Sequence, residues 1–214
     1  MSQIEQEFRH MLSSKPEIAK CYQEGLVNRR ALARYLIQKQ VAPKNQFDAV
    51  VAMLRRFPFE EYTHNQKEAR TLFKTARITL KDNIVILDFK KDKQIIQKLQ
   101  KIISHINYDA GDTLKIVLGT SSVKVFIDQR NLELLKESLE DFTLKSTIKK
   151  ISEISLQFSD DAIKTRGIVS IISTELLLHD IVITELLTAS PELLVYVKEE
   201  HVLKAYEVVK SLQT

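Results

Sequence analysis

The sequence has few of the residues that build catalytic or metal centres. Its 214 residues include one cysteine, Cys21, and only four glycines. A single cysteine excludes a disulfide within the chain, and we expect Cys21 to be a small apolar residue on a helix. The five histidines are widely separated, and none has a metal-ligand spacing with a second ligand residue. No nucleophile–base set or glycine-rich phosphate loop is visible, so we expect no enzyme activity, no metal and no cofactor.

Long apolar runs are also absent. No segment approaches the roughly 18 consecutive apolar residues that a membrane span needs. The amino-terminal stretch MSQIEQEFRHMLSS contains acidic residues and lacks the apolar core of a signal peptide. We therefore expect a cytoplasmic protein that has no membrane partner.

Positive charge is concentrated in the first third of the chain. Residues 1–75 contain 13 lysines and arginines against 8 aspartates and glutamates, whereas residues 76–214 contain 19 against 20. The formal net charge of +4 therefore originates in the segment 1–75. Such an asymmetry indicates a polyanionic partner for that region.

The segment 1–75 has the apolar periodicity of helices. The stretches NRRALARYLIQKQ and APKNQFDAVVAMLRRF each carry one apolar stripe, with Asn28 and Pro43 at their starts. Together they resemble a helix-turn-helix that binds double-stranded DNA, the second stretch being the recognition helix. The candidate nucleic-acid contacts are Arg29, Arg30, Arg34, Lys44, Asn45, Gln46, Arg55 and Arg56. An open alternative is a helical domain that binds no DNA and packs on a sheet or forms a dimer.

Beyond residue 76, short β-branched runs alternate with helical stripes, and the same order occurs twice. At one constant offset without gaps, Phe126 aligns with Tyr196 and Leu132 with Val202. We predict three domains, 1–75, 76–145 and 146–214. The predicted elements are strands 84–89, 113–119, 123–128, 151–158, 181–187 and 192–198, with helices following 92, 131, 167 and 199. Asn131 is the predicted cap of its helix.

Each repeat has the pattern β-α-β-β-α and needs one more strand to become βαββαβ. Residues 76–83 either supply a strand or form a hairpin with strand 84–89 around Lys81-Asp82-Asn83. The predicted fold is α+β, with an amino-terminal helix-turn-helix-like domain followed by two ferredoxin-like βαββαβ units. The uncovered sheet face needs the paired unit or a second chain as cover, so we expect a homodimer or a higher homo-oligomer.

The carboxy-terminal repeat resembles the ACT domain, a small regulatory module that binds amino acids. The resemblance covers roughly residues 150–213 and lies in the strand ISEISLQF, the loop SDDAIKTRG, the helix IVSIISTELLLHD and the strands and helix that follow. At the helix start the family has Pro-Gly where this sequence has Arg166-Gly167, so the glycine matches and the proline does not. Residues 84–142 resemble a second, diverged ACT unit whose loop FKKDKQ contains no glycine.

Gly167 is the centre of the candidate ligand site. Free backbone N–H groups at a helix start attract a carboxylate, and glycine lets a ligand approach the backbone. The resemblance implies a small amino acid, whose ammonium group Asp160 or Asp161 would meet. The candidate ligand-binding residues are Asp160, Asp161, Thr165, Arg166, Gly167 and Ile168. The open alternative is a tight strand-to-helix turn with solvated aspartates.

Two functions follow from these patterns. One is an amino-acid-sensing transcriptional regulator that couples the ACT-type module to a DNA-binding helix-turn-helix region. The alternative is an ACT-type regulatory or protein-interaction module that binds no DNA.

Overall fold

The computed structural model describes the backbone of residues 3–214 and their side chains except those of 13, 16, 20, 23 and 60–67. The chain divides into two compact units between Ala69 and Arg70. The helices are α1 (Gln3–Ser14), α2 (Pro16–Gln23), α3 (Arg29–Gln38), α4 (Phe47–Arg56), α5 (Glu60–Thr75), α6 (Lys93–Ile103), α7 (Leu132–Ser138), α8 (Ile168–Leu178) and α9 (Val202–Ser211). The strands are β1 (Arg77–Lys90), β2 (Leu114–Leu118), β3 (Ser122–Asp128), β4 (Leu144–Gln157), β5 (Glu185–Ala189) and β6 (Glu192–Lys198).

The first unit is helical, as the periodicity predicts. Its core joins Phe8 and Leu12 of α1 to Leu36 of α3 and Leu54 of α4, all essentially inaccessible to solvent. The predicted cap of α3 is confirmed, because Asn28 Oδ1 accepts hydrogen bonds from the amides of Arg30 (2.8 Å) and Ala31 (3.4 Å). These contacts satisfy two of the amides that a helix start leaves without partners.

The predicted recognition helix starts later than its sequence pattern suggests. Lys44, Asn45 and Gln46 form a 3-10 turn, and α4 begins only at Phe47. The physical reason is that Pro43 is extended (ψ 153°) and its carbonyl accepts the Gln46 amide at 3.0 Å, three positions further on. These three polar residues therefore precede α4 instead of occupying its first turn.

The second unit is built on one antiparallel six-stranded sheet with the order β2-β3-β1-β4-β6-β5. The two 14-residue strands β1 and β4 lie side by side at its centre. Residues 84–90 of β1 pair with β3, whereas 77–81 pair with 153–157 of β4. The start of β1 thus completes the second repeat, and the start of β4 completes the first. Each repeat thereby gains a fourth strand and has the ferredoxin-like strand order, although in the second repeat this strand comes first in the chain.

The alternative hairpin around residues 81–83 is wrong. The chain continues as one strand through this point because Asn83, with φ of 55°, accommodates a bulge opposite β4. Lys150 has the same left-handed conformation (φ 57°) at the matching place in β4. The two irregularities mark where each long strand passes from one repeat to the other.

The internal repeat is confirmed by the positions of its elements. Strands β3 and β6 begin at 122 and 192, and helices α7 and α9 begin at 132 and 202, so both pairs have the offset that aligns the two halves of the sequence.

Strand β5 begins at Glu185, later than the predicted 181, because the Ile181 amide closes α8 by donating to the Leu176 carbonyl at 3.0 Å.

Asn131 takes the N-cap position of α7, as predicted, but its side chain does not cap the helix. A 3-10 turn, 129–131, precedes α7, and the Asn131 side chain makes no capping bond. The side-chain amide of Asn131 instead donates a hydrogen bond to Asp112 Oδ2 at 2.8 Å, which links this turn to the residues before β2.

In the first repeat, helices and sheet enclose a core, and the curl of the sheet encloses a further core on its other face. In the first repeat, Val85 and Leu87 of β1 pack with Leu99 of α6 and Leu135 of α7. On the opposite sheet face the ring centroids of Phe126 (β3) and Tyr196 (β6) lie 4.7 Å apart. These strands stand three places apart, which is about 14 Å in a flat sheet. The sheet is therefore curled, and each repeat covers the concave face of the other.

The core on the concave face of the sheet, here called the concave core, also buries the carboxylate of Glu153. Glu153 of β4, 6% exposed, accepts hydrogen bonds from the Tyr196 hydroxyl (2.6 Å) and Lys115 Nζ of β2 (2.5 Å). Lys124 of β3 and Glu185 of β5 form a second ion pair across the curl. Because a buried carboxylate is costly without partners, these bonds are needed to keep Glu153 inside.

Candidate functional site

The start of α8 leaves its first amides available. Gly167 takes the N-cap position with φ 93° and ψ −2°, in the left-handed region that glycine adopts most readily. Its carbonyl accepts the Ile171 amide at 2.9 Å, and no described side chain caps the helix. A Cβ atom built on Gly167 would meet nothing within 4 Å. Backbone conformation, and not lack of space in the protein, is therefore what requires glycine here.

A cavity of about 300 Å³ lies beside this helix start. Its walls come from the β4–α8 connection, the first turn of α8 and the hairpin between β5 and β6. The lining residues are Phe158, Ala162, Thr165, Gly167, Ile168, Val169, Ser170, Thr188, Ser190, Pro191, Glu192 and Leu193. They combine apolar groups with hydroxyl groups and backbone amides, as small-molecule sites commonly do.

The structure brings together three of the predicted ligand-binding residues. Thr165, Gly167 and Ile168 line the cavity. The other three, Asp160, Asp161 and Arg166, are exposed and are not among its lining residues. The two aspartates belong to a 3-10 turn, 160–163, and the Thr165 hydroxyl donates to the Asp161 carbonyl at 2.9 Å.

The contribution of the β5–β6 hairpin was not predicted from the sequence. Strand β6 runs antiparallel to β4, so its start lies next to the end of β4, and the Phe158 amide donates to the Pro191 carbonyl at 3.1 Å. This places Thr188 and Ser190 at the cavity. The signal was the ferredoxin-like strand order itself, which puts this turn at the end of the sheet where the first strand leads into its helix.

Glu192 is the acidic residue of the lining, but its carboxylate has another partner. Side chains alternate along a strand, so Glu192 and its neighbour Leu193 point to opposite faces of the sheet. Glu192 Oε1 accepts a hydrogen bond from the Ser155 hydroxyl at 2.5 Å. We therefore assign the polar capacity of the cavity to hydroxyl groups and backbone groups.

The predicted nucleic-acid contacts separate into different surfaces of the first unit. Arg29, Arg30 and Arg55 line one cleft, whereas Arg56 lines another that also includes Glu5. The remaining candidates, Arg34, Lys44, Asn45 and Gln46, are exposed and line neither cleft. The structure thus brings three of the eight residues together.

The described residues contain neither a grouped set of metal ligands nor a helix suited to span a membrane. The part of the chain that the structure describes contains no group of three or more His, Cys, Asp or Glu side chains that could hold a metal ion. Cys21 is half-buried with a free thiol. None of the helices in the described part of the chain combines the length and the apolar character that a membrane span requires.

No family model matches the sequence, and no curated protein matches it. Among solved structures, the aspartate kinase of Clostridium acetobutylicum, described as an allosteric enzyme, has 18% identity and a TM-score of 0.53, with 64% of this chain and 34% of that chain covered. This chain thus corresponds to about a third of that kinase. The alpha and beta subunits of an aspartokinase have 14% identity and a TM-score of 0.53, with 69% and 99% covered. The regulatory subunit of aspartate kinase from Thermus flavus has 12% identity and a TM-score of 0.51, with 64% and 97% covered.

Similarities at these identities show the fold. The α+β unit with its curled six-stranded antiparallel sheet has the fold of the ACT-type regulatory units of aspartate kinases. The predicted ACT resemblance is confirmed at this level. No comparison bears on the helix-turn-helix region.

Proposed function

We propose that this protein is a non-enzymatic regulatory module that binds a small amino acid at the start of α8. The observation that carries the proposal is an uncapped helix start, opened by the left-handed Gly167, in the wall of a cavity of about 300 Å³. A helix start presents free N–H groups and the positive end of the helix dipole, both of which favour a carboxylate.

The remaining walls suit the other parts of an α-amino acid. Phe158, Ile168, Pro191 and Leu193 offer apolar surface to an aliphatic side chain. The hydroxyl groups of Thr188 and Ser190 and the backbone carbonyls of the same hairpin offer acceptors to the ammonium group. The ammonium group of the ligand would therefore contact the β5–β6 hairpin, and not the exposed Asp160 or Asp161 as the sequence predicts.

The structural relatives support a regulatory role. One is described as an allosteric enzyme and another as the regulatory subunit of aspartate kinase. A unit of the same fold with a cavity of its own has what a ligand-responsive regulator needs. The non-enzymatic part of the proposal rests on the sequence, in which no nucleophile–base set is visible.

The fold comparison favours the module that binds no DNA over the transcriptional regulator. Binding of duplex DNA by the first unit stays a prediction, as do the homodimer and the cytoplasmic location. The sheet face on which the expected self-association partly rested is covered within the chain, because the two repeats close on each other.

A thermal-shift screen of the full chain with the twenty amino acids tests the proposal. We expect at least one to stabilise the protein, by about 2.7 kcal/mol at a hundredfold excess over its Kd. Gly167→Val should abolish that shift, because the new side chain would extend from the helix start toward the ligand carboxylate.

Gly111→Val is the matched control. Gly111 also has a positive φ (80°) and open space around its missing Cβ, but it lies outside the cavity. Both variants carry the same kind of backbone strain, roughly 1–3 kcal/mol, and only Gly167→Val should lose the ligand. The proposal fails if no amino acid shifts the melting of the wild type, or if Gly167→Val keeps the full shift.

A further inference from the structure

Three arginines of the first unit share a second concave surface. Arg29 and Arg30 are the first residues of α3, and Arg55 lies in the last turn of α4. Arg55 follows the buried Val51 by one helical turn, so both residues lie on the same side of α4. The cleft has a volume of about 590 Å³, and we call it the arginine cleft; its lining is Tyr22, Gly25, Leu26, Val27, Asn28, Arg29, Arg30, Val51 and Arg55.

An aromatic stack holds one of these arginines in place. The Tyr22 hydroxyl accepts a hydrogen bond from Arg29 Nε, and the guanidinium lies 5.8 Å from the centre of the Tyr22 ring. The Tyr22 ring is stacked on Phe59, with centroids 3.9 Å apart and planes 18° apart. Because Phe59 is buried, the Arg29 guanidinium is anchored to the core of the first unit.

The arginine cleft combines a helix start with three positive charges. A helix start favours negative charge, yet α3 has no acidic residue in its first turn and begins with two arginines. Its cap, Asn28, is neutral. Among the described side chains, none of the three arginines forms an ion pair, and all three are exposed. Local positive charge that the fold does not neutralise is a feature of binding sites.

We infer that the arginine cleft binds a phosphate group, carried by a small phosphorylated molecule or by a nucleic-acid backbone. The planar guanidinium offers paired N–H donors that match two phosphate oxygens, and three of them suit a doubly charged group. The site lies in the other unit from the amino-acid cavity, so it is independent of the function proposed above.

Arg55 and Arg56 provide a matched pair of variants. They are adjacent and equally charged, but Arg56 lines a different cleft together with Glu5 and Phe57. Arg55→Gln and Arg56→Gln therefore remove the same charge, and only the first removes a guanidinium from the arginine cleft.

The experiment measures binding of two probes to the full chain. Inorganic pyrophosphate is titrated by calorimetry, and a short fluorescent DNA duplex is titrated by anisotropy at low salt. We expect Arg55→Gln to lower the affinity for pyrophosphate at least about tenfold, because it removes a charge-assisted hydrogen bond. Arg56→Gln should leave the affinity for pyrophosphate near that of the wild type. Thermal melts establish that each variant is folded, and Arg30→Gln replaces Arg55→Gln if the latter is not.

The pattern of results also identifies the source of the phosphate. Binding of pyrophosphate that a duplex does not displace indicates a small phosphorylated ligand. Binding of the duplex, weakened by pyrophosphate and by salt with a slope of about one per phosphate contact, indicates nucleic acid. Failure of both probes to bind, or an equal loss in Arg55→Gln and Arg56→Gln, would overturn the inference.

Discussion

The two repeats of the second unit share their strand order but begin their first helices in opposite ways. In the first repeat, β1 ends at Lys90, α6 begins at Lys93, and Asp92 Oδ1 accepts the Gln94 amide at 2.7 Å. In the second repeat, residues 158–167 separate β4 from α8, and the uncapped Gly167 opens the helix. The first helix start is closed by a carboxylate of its own, and the second is open beside a cavity.

Under the proposed function, this difference separates a structural unit from a binding unit of the same fold. At α6 the Asp92 carboxylate takes the place that a ligand carboxylate would need. At α8 the longer connection both removes that carboxylate and supplies cavity walls, since Phe158, Ala162 and Thr165 belong to it. Both repeats have the same strand order, so the proposed site depends on the longer connection between β4 and α8.

The largest effect is expected when the second repeat is given a carboxylate like that of the first. Ser170 lines the cavity in the first turn of α8, so Ser170→Glu would place a negative charge at the proposed position of the ligand carboxylate. We expect the affinity for the amino acid to fall at least about a hundredfold, because like charges at close range repel strongly. Calorimetric titration measures the loss.

Stability separates this effect from misfolding. A glutamate in the first turn of a helix should leave the free energy of unfolding unchanged or raise it by about 0.3–1 kcal/mol. Thr174→Glu, one turn later and outside the cavity, is the control and should keep wild-type affinity. Equal affinities of Ser170→Glu and the wild type would place the ligand elsewhere.

The concave core offers a second contrast between the repeats. Tyr196 occupies the position that Phe126 has in the first repeat, and its hydroxyl donates to the buried Glu153. Tyr196→Phe removes this donor, and we expect it to lower the free energy of unfolding by about 1–3 kcal/mol. Urea unfolding measures the change, with Tyr108→Phe, half-exposed, as the control. Equal stability of Tyr196→Phe and the wild type would show that Glu153 does not depend on this bond.

The same tyrosine predicts a dependence on alkaline pH. Burial raises the pKa of Tyr196 above its ordinary value of 10.0, and the neighbouring Glu153 carboxylate raises it further. A group with a raised pKa in the folded state contributes stability that is complete below its unfolded pKa and is lost above it. The wild type should therefore lose stability as the pH rises beyond about 10. Tyr196→Phe should lose less, which unfolding curves across this range would measure.

The smallest effect is expected at the helix start of the first repeat. Asp92→Ala removes the cap of α6 and should cost about 1 kcal/mol of stability. Affinity for the amino acid should not change, because Asp92 is not among the residues of the α8 cavity. Thermal unfolding with and without ligand checks both expectations. A changed ligand affinity in Asp92→Ala would mean that the first repeat takes part in binding.

The features that were predictable from the sequence are local ones. Apolar periodicity located the helices, and the constant offset between equivalent positions located the repeat. The glycine before IVSII located the open helix start, because a helix start depends on a few neighbouring residues.

The features that were not predictable depend on contacts distant in sequence. Whether residues 77–83 turn or extend is decided by pairing with 153–157 of β4, which no local pattern contains. The approach of Thr188 and Ser190 to Gly167 likewise depends on strand order. Asp160 and Asp161 have the right chemistry for an ammonium group, but residue type does not show that these two residues are exposed and outside the cavity lining.

The most direct test of the open helix start follows backbone amide signals by NMR while the stabilising amino acid is added to the labelled full chain. We predict the largest chemical-shift changes at Gly167–Ser170 and at Thr188–Leu193 except Pro191, which has no N–H, with the amides that follow Asp92 unaffected. Shifts that are confined to other parts of the chain, or that are equal at the starts of α6 and α8, would contradict a ligand site built by the second repeat alone.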